Sequence, residues 1–169
     1  MGKTIIVTGA AGFIGYHVAR ALLARGDAVI GIDNLNPYYD PRLKEDRLAA
    51  LAGVNAGAFR FERVDFSDHE ALARALDGAD FDRIVHLGAQ AGVRHSIEQP
   101  RSYVAANLAG HLNMLELARQ REVGNFVYAS SSSVYGGNES LPFRVEDRVD
   151  HPISLYAATK RADDRECEA

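Results

Sequence analysis

Two hydrophobic rhythms alternate along the chain. Lys3-Thr4-Ile5-Ile6-Val7-Thr8 is a continuous, β-branched apolar run that ends in glycines, the pattern of a strand buried on both faces. Phe13, Ile14, Val18, Leu22 and Leu23 then fall at helical spacing, with Gly26 as the stop. Ala28 to Asp33 returns to the strand pattern. Residues 3–33 therefore predict one βαβ unit, with parallel strands and a right-handed crossover.

The alternation continues downstream. Asn34 to Pro41 is a polar loop with two prolines and two tyrosines, followed by a mixed-charge helix from about Arg42 to Leu51. Phe59 to Val64 reads as a strand ending at Asp65, Asp68 to Leu76 as a helix with an acidic first turn, and Arg83 to Leu87 as a strand. Pro100 opens a long helix with Val104, Leu108, Leu112, Leu115 and Ala118 on one face, and Phe126 to Ser130 is the fifth strand. Strands alternating with helices predict an α/β fold. It is a doubly wound parallel sheet of about five strands in the order 3-2-1-4-5, one domain spanning residues 1–169 with no internal linker.

Composition agrees with that picture and narrows the function. A chain of 169 residues with 47% hydrophobic and 25% charged positions suits one globular domain and excludes fibrous or disordered classes. The net charge of -4, with signs mixed along the chain, argues against nucleic-acid or membrane partners and for a small molecule. The single cysteine, Cys167, permits neither an intrachain disulfide nor a cysteine metal site, and fits a reducing, cytoplasmic setting. The first residues lack a signal peptide's apolar segment, and no stretch approaches the roughly 20 apolar residues that cross a bilayer. Six histidines are present without carboxylate or cysteine partners at ligand spacing, His86 in the fourth strand and His111 in a helix, so no metal site is expected.

The chemistry concentrates at strand ends. Gly9, Gly12 and Gly15 stand three apart between the first strand and the first helix, where glycine permits a tight turn, backbone approach to a pyrophosphate, and close helix–sheet packing. Asp33 ends the second strand eighteen residues after Gly15, placed to accept hydrogen bonds from an adenosine ribose. With no Arg or Lys in the six residues after it, NAD is expected over its 2′-phosphorylated counterpart. Asp65 and Phe66, ending the third strand, read either as adenine contacts or, for the aspartate, as a helix cap. Tyr156 and Lys160 are four apart, on one helix face, where a cation favours the phenolate form needed by a general base. The fifth strand runs into Ser130-Ser131-Ser132-Ser133, whose hydroxyls lie at the ligand-binding edge of such a sheet.

TGAAGFIG, GIDN, YASSSSVYG and YAATK together resemble the extended short-chain dehydrogenase/reductases, and DNLNPYYDPRLKEDRL, HLGAQAGVRHS and the run from Ser130 to Lys160 resemble the UDP-glucuronate 4-epimerases among them. The resemblance implies a Rossmann fold holding NAD. Its cofactor contacts would be Gly9, Ala11, Gly12, Phe13, Ile14, Gly15, Asp33, Asn34, Asp65, Phe66, Leu87, Ala89, Tyr156 and Lys160. It implies Tyr156 as the base, Lys160 as its tuning partner, and Ser131 as the hydroxyl partner. Ser132 and Ser133 would face the sugar of a UDP-sugar, and Gln90 and Arg94, after the fourth strand, would contact the sugar or the cofactor, with Arg94 reading equally as a surface arginine. The implied reaction interconverts C4 epimers through a 4-keto intermediate, with no net redox change. A homodimer through the helices starting near Pro100 and Tyr156 is the implied assembly.

The tail departs from that pattern. Arg161 to Ala169 reads RADDRECEA, with only Ala162, Cys167 and Ala169 apolar where the resembled family seats its catalytic helix on apolar positions. Relatives of that kind are about twice as long, so the chain is expected to lack their C-terminal substrate domain, with a tail that is artificially shortened, frameshifted or naturally short. The fifth strand would then be a sheet edge needing cover. Cys167 is expected to be inert, and Asn107 reads either as a bond to the cofactor side or as a structural bond. Two functions stand: a UDP-sugar C4 epimerase, or a catalytically silent NAD-binding module.

Overall fold

The computed structural model describes residues 2–169. Five parallel strands, β1 (Thr4–Thr8), β2 (Ala28–Asp33), β3 (Phe59–Arg63), β4 (Arg83–His86) and β5 (Asn125–Tyr128), form one sheet in the order β3-β2-β1-β4-β5. This is the predicted doubly wound arrangement. Ile6 of β1 pairs with Ile30 on one side and Ile84 on the other, so the most apolar strand is central and buried on both faces.

Helices α1 (Phe13–Ala24), α2 (Pro41–Ala52) and α3 (His69–Ala75) follow the first three strands. Asp40 caps α2 through Arg42 N, ahead of Pro41 in the first turn, and Asp68 caps α3 through Ala71 N. Two apolar clusters sandwich the sheet. Ile5, Val7, Ala19, Leu23, Val29 and Leu51 close one face, while Ile6, Ile32, Phe66, Leu72, Leu76, Ile84 and Met114 close the other. Each fully buried Ile or Leu contributes about 1.5–3 kcal/mol through removal from water.

The long helix predicted from Pro100 differs in detail. A short α4 (His95–Glu98) precedes α5 (Pro100–Tyr103), a π-helical stretch over Val104–Ala109, and α6 (Gly110–Gln120). The face turned to the sheet is Tyr103, Asn107, Gly110, His111 and Met114, whereas Val104 and Leu112 are about half exposed. The π turn spreads an extra residue into each hydrogen-bonded ring and so rotates the side chains that follow. Asn107, within it, is held by backbone bonds described below.

Helix α7 (Leu155–Glu168) starts at Ser154, whose hydroxyl accepts from Ala157 N, and runs to the chain end. Its inner face carries Ala157, Thr159, Lys160 and the fully buried Asp163. No helix among the described residues is long and apolar enough to cross a membrane.

Candidate cofactor and active site

The carboxyl ends of β1 to β4 open into one cleft of about 330 Å³. Gly9, Gly12 and Gly15 form its floor. Gly9 has φ +65°, a backbone region that side chains rarely adopt, and a Cβ there would meet the backbone of Gly88 at 3.0 Å. A Cβ on Gly15 would run into the Gly9 carbonyl oxygen, so the turn and α1 can pack this closely only with glycine. Gly12 is the N-cap of α1 in extended conformation and offers no side-chain cap, and Phe13, Ile14 and Gly15 line the cleft. The first-turn N–H groups of α1 thus remain available to an anion.

At the far end of the cleft stands Asp33, buried to 6% exposure. Its Oδ1 accepts from Leu35 N at 2.8 Å and from Lys44 Nζ at 3.2 Å. Among the described residues no protein group donates to Oδ2, which leaves that oxygen for a ligand. Asn34 donates to Asp65 Oδ2 at 2.8 Å, joining the ends of β2 and β3, while Asp65 Oδ1 takes Ser67 N and Oγ. Burial pushes the pKa of Asp65 up, but the hydrogen bonds from Ser67 and Asn34 outweigh it and hold the carboxyl below its usual range. Asp65 therefore fastens the two strand ends through Oδ2 and its own loop through Oδ1. Phe66 lines the cleft, yet its ring is packed inward, edge-on to His86, with Gly88 and Gly110 made small to admit it.

A polar bolt ties β1 to β4. Thr8 Oγ1 accepts from Leu87 N and Gly88 N at 3.0 and 2.9 Å, so its own proton goes to His86 Nδ1 at 2.8 Å. His86 is thereby fixed as an acceptor at Nδ1, and burial holds its pKa well below the usual range. Beyond it, Asn107 accepts from Gln90 N at 2.8 Å and donates to Gln90 O at 3.1 Å and Thr159 Oγ1 at 3.0 Å. This one amide links the cleft wall to α7, between Tyr156 and Lys160. Both alternatives for Asn107 thus meet in one bond set, structural in kind and located on the cofactor side.

Lys160 Nζ donates to Ala129 O at 3.0 Å, just past β5, and to Asp163 Oδ2 at 2.8 Å. Burial pushes Asp163 up to about 6 against the pull of the Lys160 charge, and its Oδ1 has no partner. His111, pressed from α6 against the same helix, is lowered to about 4 by burial and by Lys160; its Nε2 faces Cys167 Sγ at 3.4 Å. Burial also raises Cys167, the opposite of an activated thiol. Tyr156 is half-buried and edge-on to Tyr103. Ser131 Oγ accepts from Ser133 N and Oγ, capping the 3-10 turn Ser132–Tyr135 on which α7 packs. No hydrogen bond joins the Tyr156 hydroxyl to Ser131 or Lys160 among the described residues.

The cleft gathers Gly9, Gly12, Phe13, Ile14, Gly15, Asp33, Asn34, Asp65, Phe66, Leu87, Ala89 and Gln90 from the sequence expectations. Ala11 is buried behind the turn, its carbonyl taken by Arg47 Nη1 at 3.1 Å. Ser131, Ser132, Ser133, Tyr156 and Lys160 stand outside the lining, and Arg94 is exposed at the start of α4. Sequence reasoning missed Lys44, Arg47, Asn36 and Tyr39. A signal for Lys44 existed: it shares the inner face of α2 with Leu48 and Leu51, at spacings of four and seven.

A family profile described as the NAD dependent epimerase/dehydratase family matches residues 5–169. UDP-glucuronate 4-epimerase 1 of Arabidopsis thaliana is 50% identical over 162 residues, covering 95% of this chain and 37% of the relative. A probable UDP-glucuronate 4-epimerase of Rhizobium meliloti is 49% identical over 157 residues, covering 93% and 46%. The Bordetella bronchiseptica enzyme WbmH, solved in complex with NAD+, superposes with a TM-score of 0.82 at 27% identity, over 99% of this chain and 52% of that one. The chain spans about half the length of the curated relatives it matches, or less.

Proposed function

The chain belongs to the NAD-dependent epimerase/dehydratase family, and on that footing we propose that it is the cofactor-binding part of a nucleotide-sugar C4 epimerase acting on UDP-glucuronate and UDP-galacturonate. The observation that carries this reading is the cleft itself. A glycine floor, an uncapped helix start and an aspartate with one oxygen unused line a single cavity, beside the helix that bears Tyr156 and Lys160.

These residues fit a dinucleotide. Gly9, Gly12 and Gly15 let the backbone approach a pyrophosphate, the N–H groups of Phe13, Ile14 and Gly15 meet its charge, and Asp33 Oδ2 takes a ribose hydroxyl. Bound there, NAD supplies a hydride acceptor that returns what it takes. Tyr156 removes the proton of the sugar 4-hydroxyl and gives it back when the ketone, turned over, is reduced on its other face. Lys160 holds the ribose side of the site through the donor that Ala129 and Asp163 leave unused. Gln90, in the cleft wall, meets the sugar end. The likeness to UDP-glucuronate 4-epimerases at about half identity supports the uronate over other sugars.

A second reading is favoured by specific bonds. Lys160 is tied to Asp163 and Ser131 to Ser133, so the catalytic set is not preassembled around Tyr156. A chain that binds NAD without turning over sugar is consistent with that arrangement. Incubation with NAD and UDP-glucuronate, followed by chromatographic analysis of C4 epimers, decides between the two. Formation of UDP-galacturonate that stops in Tyr156→Phe supports the epimerase, and bound NAD without product supports the silent module.

A homodimer is also proposed. Val104 and Leu112 are 48% and 50% exposed on the outer face of the π–α6 helix. Two copies would bury both against each other.

A further inference from the structure

Asp163 is fully buried on the inner face of α7, and the chemistry proposed above makes no use of it. Its Oδ2 accepts from Lys160 Nζ at 2.8 Å, while its Oδ1 has no partner among the described residues. Helical side chains lean toward the N-terminus of their own helix, so a lysine at 160 reaches back over the turn that bears Tyr156. Asp163 lies one turn the other way, and a cation N-terminal to its acid is the less favourable order on a helix. Together with Ala129 O at 3.0 Å, the carboxylate draws the ammonium toward the C-terminal end of α7. Lys160 stands outside the cleft lining in consequence, and among the described residues it makes no bond to the Tyr156 hydroxyl.

We propose that Asp163 is a positioning residue that competes with the cofactor for Lys160, so that its removal tightens binding at the end of the cleft opposite Asp33. This inference rests on the reading of the cleft as a dinucleotide site with Lys160 at its second ribose. Of the three N–H groups of Lys160, one is left for a ligand while the pair is closed, and two are left when it opens. Protonation of Asp163, which burial pushes up to about 6, opens the pair as substitution would. Lys160, Asp164 and Glu166 face Asp163 from α7, with Cys167 on the next turn. His111 faces it from α6, with His86 of β4 beside Lys160, and Tyr128 of β5 closes the cluster through Asp164. Burial lowers both histidines, His111 to about 4, and raises Tyr128 and Cys167, which leaves Asp163 and the equally acidic Glu166 to change charge as pH falls through 6.

Titration calorimetry tests the proposal with NAD and with ADP, which has the adenosine and pyrophosphate but lacks the second ribose. The proteins compared are the wild-type chain, Asp163→Asn and Asp163→Asn/Lys160→Met. Asp163→Asn is expected to bind NAD about three- to tenfold tighter than the wild type, the effect of one hydrogen bond returned to the ligand, with ADP within about twofold. The double variant, which leaves no buried charge unpaired, is expected to lose that gain. Between about pH 7.5 and 5.5 the wild type is expected to gain affinity for NAD but not for ADP, and Asp163→Asn to gain neither. Unchanged or weaker NAD binding in Asp163→Asn, an equal change for NAD and ADP, or a gain that survives loss of Lys160 overturns the proposal and leaves Asp163 a structural residue. Should Asp163→Asn fail to fold, the wild-type pH profile decides: a gain for NAD alone supports the competition, and a flat profile or one shared with ADP overturns it. Binding of neither ligand by the wild-type chain contradicts the dinucleotide site itself, and with it this inference.

Discussion

Lys160 Nζ lies 2.8 Å from Asp163 Oδ2, with side-chain exposures of 6% and 1%. The lysine one helical turn after Tyr156 is thus also the counter-ion of a carboxylate one turn further along. The pair sits beside His111 and His86, and Asp164, Glu166, Tyr128 and Cys167 surround it from α7 and β5. Burial dominates this cluster, raising Asp163 and Glu166 and lowering the two histidines.

Asp163 and His111 have opposite effects on stability over the same pH range. Asp163 titrates at about 6, above its ordinary 3.8, so its favourable contribution is present below about pH 4 and lost as pH rises through 6. His111 titrates at about 4, below its ordinary 6.5, so its contribution is present above pH 6.5 and lost as pH falls through 4. Thermal unfolding between pH 4 and 6.5 is predicted to show Asp163→Asn losing more stability than the wild type on acidification. His111→Gln is predicted to lose less. Identical slopes in all three proteins contradict the burial of these groups.

Gly15→Ala places a methyl group against the Gly9 carbonyl oxygen. The helix or the turn must shift, at a cost of about 1–3 kcal/mol. Chemical denaturation is expected to show that loss together with abolished NAD binding. Gly53→Ala, whose added carbon meets only Ala50 O at 3.6 Å, is the control and leaves both within error.

Much of this fold was legible in the chain because period and punctuation agreed. The strand order followed from alternation, and the glycine turn and Asp33 from their spacing. β5 ends at Tyr128, short of the expected Ser130, because only Ala129 N still reaches His86 O beyond the ladder. The face of the Pro100 helix was misread by about one position, because the buried side chains Tyr103, Asn107 and His111 carry polar groups and an apolar count passes over them. Lys44 and Asp163 were hidden for a shared reason: each is a charged residue buried by a partner distant in sequence or on the next turn, and charge in a sequence reads as solvent-facing. The tail, expected to be short of apolar positions, buries Asp163 instead, whose charge Lys160 meets.

Leu112→Glu, alone and with Val104→Glu, puts charge on the outer face of the π–α6 helix, where both leucine and valine are half exposed. The proposed homodimer predicts a dimer for the wild type at micromolar concentration in sedimentation velocity and a monomer for the double variant. Circular dichroism should stay native in both, since neither side chain belongs to the buried clusters.

The central claim is that the cleft between Gly9 and Asp33 holds NAD. Calorimetric titration of the wild-type chain and of Asp33→Asn with NAD tests it most directly. The account predicts one saturable site in the wild type, weakened about tenfold or more in Asp33→Asn through loss of a charged hydrogen bond to the ribose. Absence of binding by the wild type, or binding that Asp33→Asn leaves untouched, would contradict it.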